Sequence, residues 1–267
     1  MMKYLTFTAT LLGATALALN AQAQDLGQLI EDIEVTSTID TVSEYVFRGI
    51  SAGGSSVQPG TELNLYGFSG GTLYTAGFGE NSAVQLDQLD LFIGYKLPFE
   101  GPIQVEIGGT AYIFPQGNNI FDGTGGTVAT YEVDGTIGAK DVFLSPSVFV
   151  AYDFTLDNFT VEGNLSHTFN LPREGWSLDA RLNGGHVELT ENEFTGGLPV
   201  AFDSYQYGTA TLAANKVITD DIGFFVSGNF TINSENDTLN FDIDDGLSGF
   251  RDDDAVFWFG TGFSASY

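Results

Sequence analysis

The chain contains no cysteine and only two histidines, and its 8 lysines and arginines stand against 35 aspartates and glutamates. Each scarcity excludes something. Without cysteine there are no disulfides, so an exported chain of this length is held by burial or by closed backbone hydrogen bonding. The formal net charge of −27 excludes nucleic acid as a partner, because phosphates would be repelled and counterion release needs basic residues. Acidity of this kind serves solubility, and it also attracts cations. Beyond the first two dozen residues no apolar run is long enough for a transmembrane helix. A membrane-spanning chain must then be a β-barrel, since only helices and closed barrels satisfy every backbone group in lipid. With 43% hydrophobic residues, including 23 Phe and 11 Tyr, disorder is excluded as well.

What is present begins with an export signal. "MMKYLTFTATLLGATALALNAQAQ" has Lys3 as a positive start, an apolar run from Leu5 to Leu19, and the small-x-small site Ala21-Gln22-Ala23. Cleavage near Ala23 is expected, giving a signal peptide at 1–23, a short periplasmic segment at 24–33 and one domain at 34–267. The signal carries one of the few lysines, so its removal leaves the mature chain more acidic still.

From residue 34 apolar and polar residues alternate. "IQVEIGGTAYIF" sends Ile103, Val105, Ile107, Ala111 and Ile113 one way and Gln104, Glu106, Thr110 and Tyr112 the other. Parsing by this rule gives twelve strands, near 34–49, 61–69, 72–80, 86–98, 103–114, 127–138, 142–154, 158–169, 176–186, 203–216, 222–233 and 254–267. Pro146 is awkward inside the seventh, where it removes a ladder donor, and marks a bulge or a later start. The connections alternate in length. "SGG", "PFEGP", "GAKD", "NLPREGW" and "VITDDI" are short, whereas "IFPQGNNIFDGTGGT", "GHVELTENEFTGGLPVAF" and "NSENDTLNFDIDDGLSGFRDD" are long. Bacterial barrels place short turns in the periplasm and long loops outside.

Strands of about ten residues suit a tilted crossing of the hydrocarbon layer. Aromatics near strand ends, at Tyr45, Phe47, Tyr95, Tyr131, Tyr152 and Trp176, are placed as interfacial girdles. The final stretch "AVFWFGTGFSASY" puts Phe257, Phe259, Phe263 and Tyr267 on one face and then stops. That ending resembles the closing strand of Gram-negative outer-membrane proteins, which serves as an assembly signal. The expected fold is therefore all-β: a transmembrane antiparallel up-and-down β-barrel of about twelve strands, located in the outer membrane after export. Its expected surroundings are outer-membrane lipid and lipopolysaccharide, with the barrel-assembly machinery engaging the strand that ends at Tyr267. The alternative is a soluble exported β-sandwich. The sequence sets no oligomeric state.

The exit of the first strand, "SEYVFRGIS", carries Tyr45, Phe47, Arg48, Gly49, Ile50 and Ser51. It resembles the start of the TorF-like porin family, in which a strand after the signal ends in aromatic-x-Phe-Arg-Gly-Ile-Ser. The resemblance implies a single outer-membrane barrel with a transport role and no established substrate. The Gly-rich middle of this chain departs from the family pattern, so no substrate is carried over.

If the apolar phase faces lipid, the alternate phase lines the lumen: Asp40, Glu44, Arg48, Glu62, Asp90, Lys96, Glu106, Glu132, Asp134, Asp153, Glu162, Asp179 and Arg181. An open pore so lined concentrates cations and repels anions, passing small solutes or ions with cation preference. The same charges could instead form a salt-bridged core that fills a narrow barrel. Such a closed barrel would act structurally or bind a surface partner through its external loops. Arg48 is the residue of most interest: its guanidinium could clamp a carboxylate ligand or pin a loop carboxylate as a constriction, and the plainer expectation is an internal pair with Glu44 or Glu62. No enzyme, cofactor or metal site is expected. Neither His167 nor His186 belongs to a catalytic motif, and no nucleophile elbow or phosphate loop is present. The acidic stretch "NFDIDDGLSGFRDDD" suits diffuse divalent binding, but Gly246 is out of register for an EF-hand.

Overall fold

The computed structural model describes residues 32–78, 87–115, 128–189, 204–234 and 255–267. The signal peptide, the acidic 240–254 stretch and most of the long external connections lie outside these residues. Alternation at period two becomes strand throughout. The chain forms β1 (Glu34–Val42), an inserted hairpin of β2 (Tyr45–Phe47) and β3 (Ile50–Gly53), then β4 (Ser56–Leu65), β5 (Phe68–Gly77), β6 (Gln88–Lys96), β7 (Ile103–Phe114), β8 (Val128–Ala139), β9 (Ser147–Asp153), β10 (Asn158–Asn170), β11 (Trp176–Leu189), β12 (Tyr205–Val217), β13 (Ile222–Asn233) and β14 (Ala255–Ser266). Twelve of these, all but β2 and β3, close into one barrel in which each strand lies antiparallel to the next.

Closure is made by β1 against β14, from Thr36 opposite Ser266 to Val42 opposite Gly260. Val35 N donates to Tyr267 O at 3.2 Å and Tyr267 N donates to Val35 O at 2.9 Å, so the last residue is part of the seam. With no free edge, each barrel strand finds hydrogen-bonding neighbours on both sides, which lipid demands.

Register sorts the side chains into two faces. Ile39, Leu63, Ile93, Ile137, Leu182, Leu212 and Phe230 are exposed on the outside, an apolar surface that a water-soluble protein does not tolerate over this extent. Exposed aromatics gather at both strand ends: Tyr66, Phe68, Phe99, Phe143 and Tyr267 at the end carrying the termini, and Phe78, Tyr131, Phe154, Phe159 and Phe257 at the other. The start of β1 and the end of β14 lie at the end of the short connections, the end that bacterial barrels keep in the periplasm.

Four strand expectations are corrected. The first strand does not run to 49 but stops at Val42, and residues 45–53 turn inward as β2 and β3. The second and third are β4 and β5, displaced toward the N-terminus, because their turn is Tyr66-Gly67 with φ of 50° and 85°, the left-handed pair that a two-residue hairpin needs. "SGG" is therefore wall and not turn. The seventh strand begins at Ser147, immediately after Pro146, whose carbonyl accepts from Ala139 N at 2.9 Å while no N–H is required of it.

Candidate functional site: a hairpin across the lumen

The inserted hairpin turns at Arg48 and Gly49, with φ of 47° and 85°. Both residues occupy the left-handed region, which suits the twist of a two-residue hairpin and favours glycine at the second position. Gly49 is required for a second reason: a Cβ there would overlap the Cβ of Tyr207, and its Cγ would lie at 2.7 Å. The tip thus rests directly on the wall at β12.

Its contacts reach both sides of the barrel. Arg48 Nη2 donates to Glu132 Oε1 on β8 at 2.7 Å, and Tyr112 OH on β7 donates to the same oxygen at 3.2 Å. The Arg48 guanidinium also lies 4.9 Å from the Phe47 ring centroid and 5.7 Å from that of Phe149. Opposite, Asn233 Nδ2 on β13 donates to Gly49 O at 3.0 Å, and Ile50 packs against Val187, Tyr205 and Tyr207. Near the hairpin's base Tyr45 OH donates to Gln88 Oε1 at 3.2 Å, Gln88 donates on to Asp90 Oδ1 at 2.7 Å, and Ser51 Oγ donates to Glu44. The Arg48 and Glu132 side chains are 15% and 3% exposed, so this ion pair is withdrawn from solvent, where charge pairing is strong and breaking it costly. Tyr45 and Phe47, expected in a lipid-facing girdle, point into the lumen, and Arg48 pairs with Glu132 instead of Glu44 or Glu62.

The remaining charged residues fall as follows. Asp40, Glu62, Asp90, Lys96, Glu106, Asp134, Asp153, Glu162, Asp179 and Arg181 lie on the inner phase of their strands, with Glu132, by register with one another. Glu162 accepts from Tyr207 OH at 2.5 Å and from Asn183 Nδ2 at 2.8 Å. Arg181 pairs with Asp179 at 3.6 Å toward the periplasmic end, and Lys96 stands opposite Glu106. Asp153 caps the β9 to β10 turn, accepting from Thr155 N at 2.7 Å and Leu156 N at 2.9 Å. Both histidines take the outer phase: His167 between the Phe143 and Phe169 rings, His186 at 3.0 Å from Glu188.

Several residues that build this site were not singled out by sequence: the inward aromatics Phe92, Phe149, Tyr207 and Phe225. For three of them the signal is a cross-strand one. Phe92 faces Gly71, Tyr207 faces Gly185 and Phe225 faces Gly262 in register. A Cβ on any of these glycines would come within 2.6–2.7 Å of the ring. These three rings lie over the glycine of a neighbouring strand, whereas Phe149 faces Thr136 and Glu162 and carries no such signal.

The hairpin leaves space on one side. A cavity of about 370 Å³ runs between it and the wall at β4 to β7, touching Glu44 and Asp90. A second, of about 320 Å³, continues toward the periplasm past Glu62, Glu106, Glu132 and Asp134. Phe92, Thr110 and Tyr112 border both, so the two spaces adjoin, and among the described residues no lysine or arginine lines either. On the other side Thr209 bonds Thr231 at 3.0 Å and Thr211 bonds Asn229 at 2.8 Å, a neutral wall.

Among solved structures the chain is similar to the NanC porin, at 8% identity and a TM-score of 0.50, covering 87% of this chain and 98% of that one. It is also similar to the KdgM porin in complex with disordered oligogalacturonate, at 9% identity and a TM-score of 0.51, covering 88% and 99%. The fold is thus the porin-like barrel of Gram-negative outer-membrane proteins. No curated protein matches the sequence. A family model does match, over residues 30–263, and the chain belongs to that family, Gcw_chp, bacterial proteins of unknown function.

Proposed function

We infer that the protein, exported and cleaved near Ala23, is an outer-membrane channel through which small solutes and ions diffuse, with preference for cations. The observation that carries this is the pair of adjoining cavities beside the hairpin, whose charged lining among the described residues is Glu44, Asp90, Glu62, Glu106, Glu132 and Asp134. Low-dielectric walls lined by one sign of charge concentrate the opposite ion. Arg48 is neutralised by Glu132, and Lys96 stands opposite Glu106 at the periplasmic end. The transport role implied by the TorF-like resemblance agrees with this reading, and the residues of that motif form the constricting hairpin. The cargo named for the KdgM structure does not transfer: oligogalacturonate is a polyanion, and it would meet carboxylates here.

A second reading, a closed barrel with a structural or surface-binding role, is favoured by the packing at hairpin level. Ser56, Thr75, Thr160 and Thr231 on the inner face have almost no exposure. Liposome swelling with size-matched cationic, neutral and anionic solutes separates the two. The channel predicts swelling fastest with the cation and slowest with the anion. No swelling with any of them, from protein shown to be folded, would leave the closed barrel.

A further inference from the structure

We propose that the outer face of β11 and β12, at the periplasmic end, binds the phosphodiester of an anionic phospholipid of the phosphatidylglycerol class through Arg173, Trp176 and Lys216. Register places Leu171, Trp176, Lys216, Phe224 and Phe263 side by side from the end of β10 across to β14, on the phase that faces lipid. Four of the five are apolar or aromatic. Among the described residues of the twelve barrel strands, Lys216 is the one lysine or arginine on that phase, since Lys96 and Arg181 point inward. A cation on the lipid face is tolerated where its ammonium reaches the headgroup layer, and there the anion it meets is a phosphate of the inner leaflet.

The turn from β10 to β11 brings a second cation to the same ring. Arg173 Cζ lies 5.3 Å and Lys216 Nζ 5.8 Å from the Trp176 ring centroid. The turn is tied down: Trp176 N donates to Arg173 O at 3.1 Å, Val217 N to Gly175 O at 2.8 Å and Lys216 Nζ to Glu174 O at 2.8 Å. Glu174 adjoins the two cations in sequence, and Asp220 and Asp221 occupy the next periplasmic turn, yet among the described residues neither Arg173 nor Lys216 makes an ion pair with a carboxylate. Trp176 Nε1 is a buried donor with no acceptor. Buried donors are ordinarily satisfied, and a phosphate oxygen beside two cations is the acceptor this place suits. Toward the membrane centre the cross-strand pairs Leu178 with Ala214, Ala180 with Leu212 and Leu182 with Ala210 continue an apolar face that an acyl chain can follow. A glycerol headgroup is preferred because it brings no ammonium of its own to compete with Arg173 and Lys216.

Trp176 reports the site directly once Trp258, the only other tryptophan, is replaced. The test places the full mature protein carrying Trp258→Phe in phosphatidylcholine vesicles that contain either dibrominated phosphatidylglycerol or dibrominated phosphatidylcholine, whose bromines quench tryptophan at contact. Trp176 is expected to select phosphatidylglycerol by about fivefold at low salt, the effect of roughly one unopposed basic side chain at a charged lipid surface. That preference should fall toward one in Lys216→Gln and in Arg173→Gln. It should persist in Lys140→Gln, which removes the same charge from the turn between β8 and β9. Equal quenching by the two lipids in the parent, a preference that folded Lys216→Gln or Arg173→Gln retains in full, or an equal loss in Lys140→Gln would overturn the site. Arg173 lies in an exposed turn, so its variant decides the matter if Lys216→Gln fails to fold. The site needs the barrel in lipid and no open lumen: a protein that conducts without the lipid preference removes the site and leaves the channel, and one that shows the preference and never conducts retains the site.

Discussion

Arg48 and Glu132, 84 residues apart in sequence, meet at 2.7 Å across the lumen and hold the tip of the inserted hairpin to β8. Replacing Arg48 with Gln strands a carboxylate that is 3% exposed, at a cost of about 3–5 kcal/mol, the usual penalty for halving a buried pair. The hairpin should detach before the barrel opens, because the twelve-strand ladder does not depend on it. Single-channel recordings of Arg48→Gln are expected to show larger and noisier steps than the parent, while heat-modifiable migration stays barrel-like.

Gly49→Ala should act the same way for a steric reason. Alanine at φ of 85° costs roughly 1–2 kcal/mol in backbone energy alone, and here its methyl also meets Tyr207. Gly101 is the control, with φ of 99° and nothing within 4 Å of the added carbon. Thermal melts should show Gly101→Ala paying the backbone term only, and recordings should show altered conductance in Gly49→Ala alone.

Neighbouring residues on β12 test which face meets lipid. Leu212 is exposed outside and Thr211 bonds Asn229 inside. Leu212→Arg near mid-strand should lower folding stability by about 2–4 kcal/mol in bilayers. Thr211→Ser should cost far less, and urea titrations in lipid vesicles would measure both.

Deleting Tyr267 removes the last two backbone bonds of the seam, those with Val35. The fraction of protein that reaches the heat-modifiable folded form in cells should fall. Tyr267→Phe, which keeps ring and backbone, should fold normally, as expected if the assembly machinery reads an aromatic C-terminal strand.

The barrel was legible because lipid and lumen impose period-two alternation on every wall strand, and the register then fixes inner and outer phases together. Two places misled for physical reasons. Alternation ran on through Val42 to Phe47 because the hairpin is also extended, and the turn lay hidden in Arg48-Gly49, a pair that reads as easily as a strand end. "SGG" resembled a turn because glycine marks turns, yet Gly71 is in the wall to make room for Phe92. The partner of Arg48 was not legible at all. Contacts across a lumen join elements that are neighbours neither in sequence nor in the sheet, so no periodicity announces Glu132.

The most direct test of the central claim is the reversal potential of single channels formed by the refolded mature protein under a potassium chloride gradient, with Glu106→Lys measured beside it. Glu106 lies exposed on the inner wall below the hairpin, outside the Arg48 pair, so its reversal changes lumen charge without releasing the constriction. The account predicts small, stable steps whose reversal potential lies on the cation side and moves toward the anion side in Glu106→Lys. A folded, inserted barrel with no steps, or steps whose selectivity ignores Glu106, would contradict it.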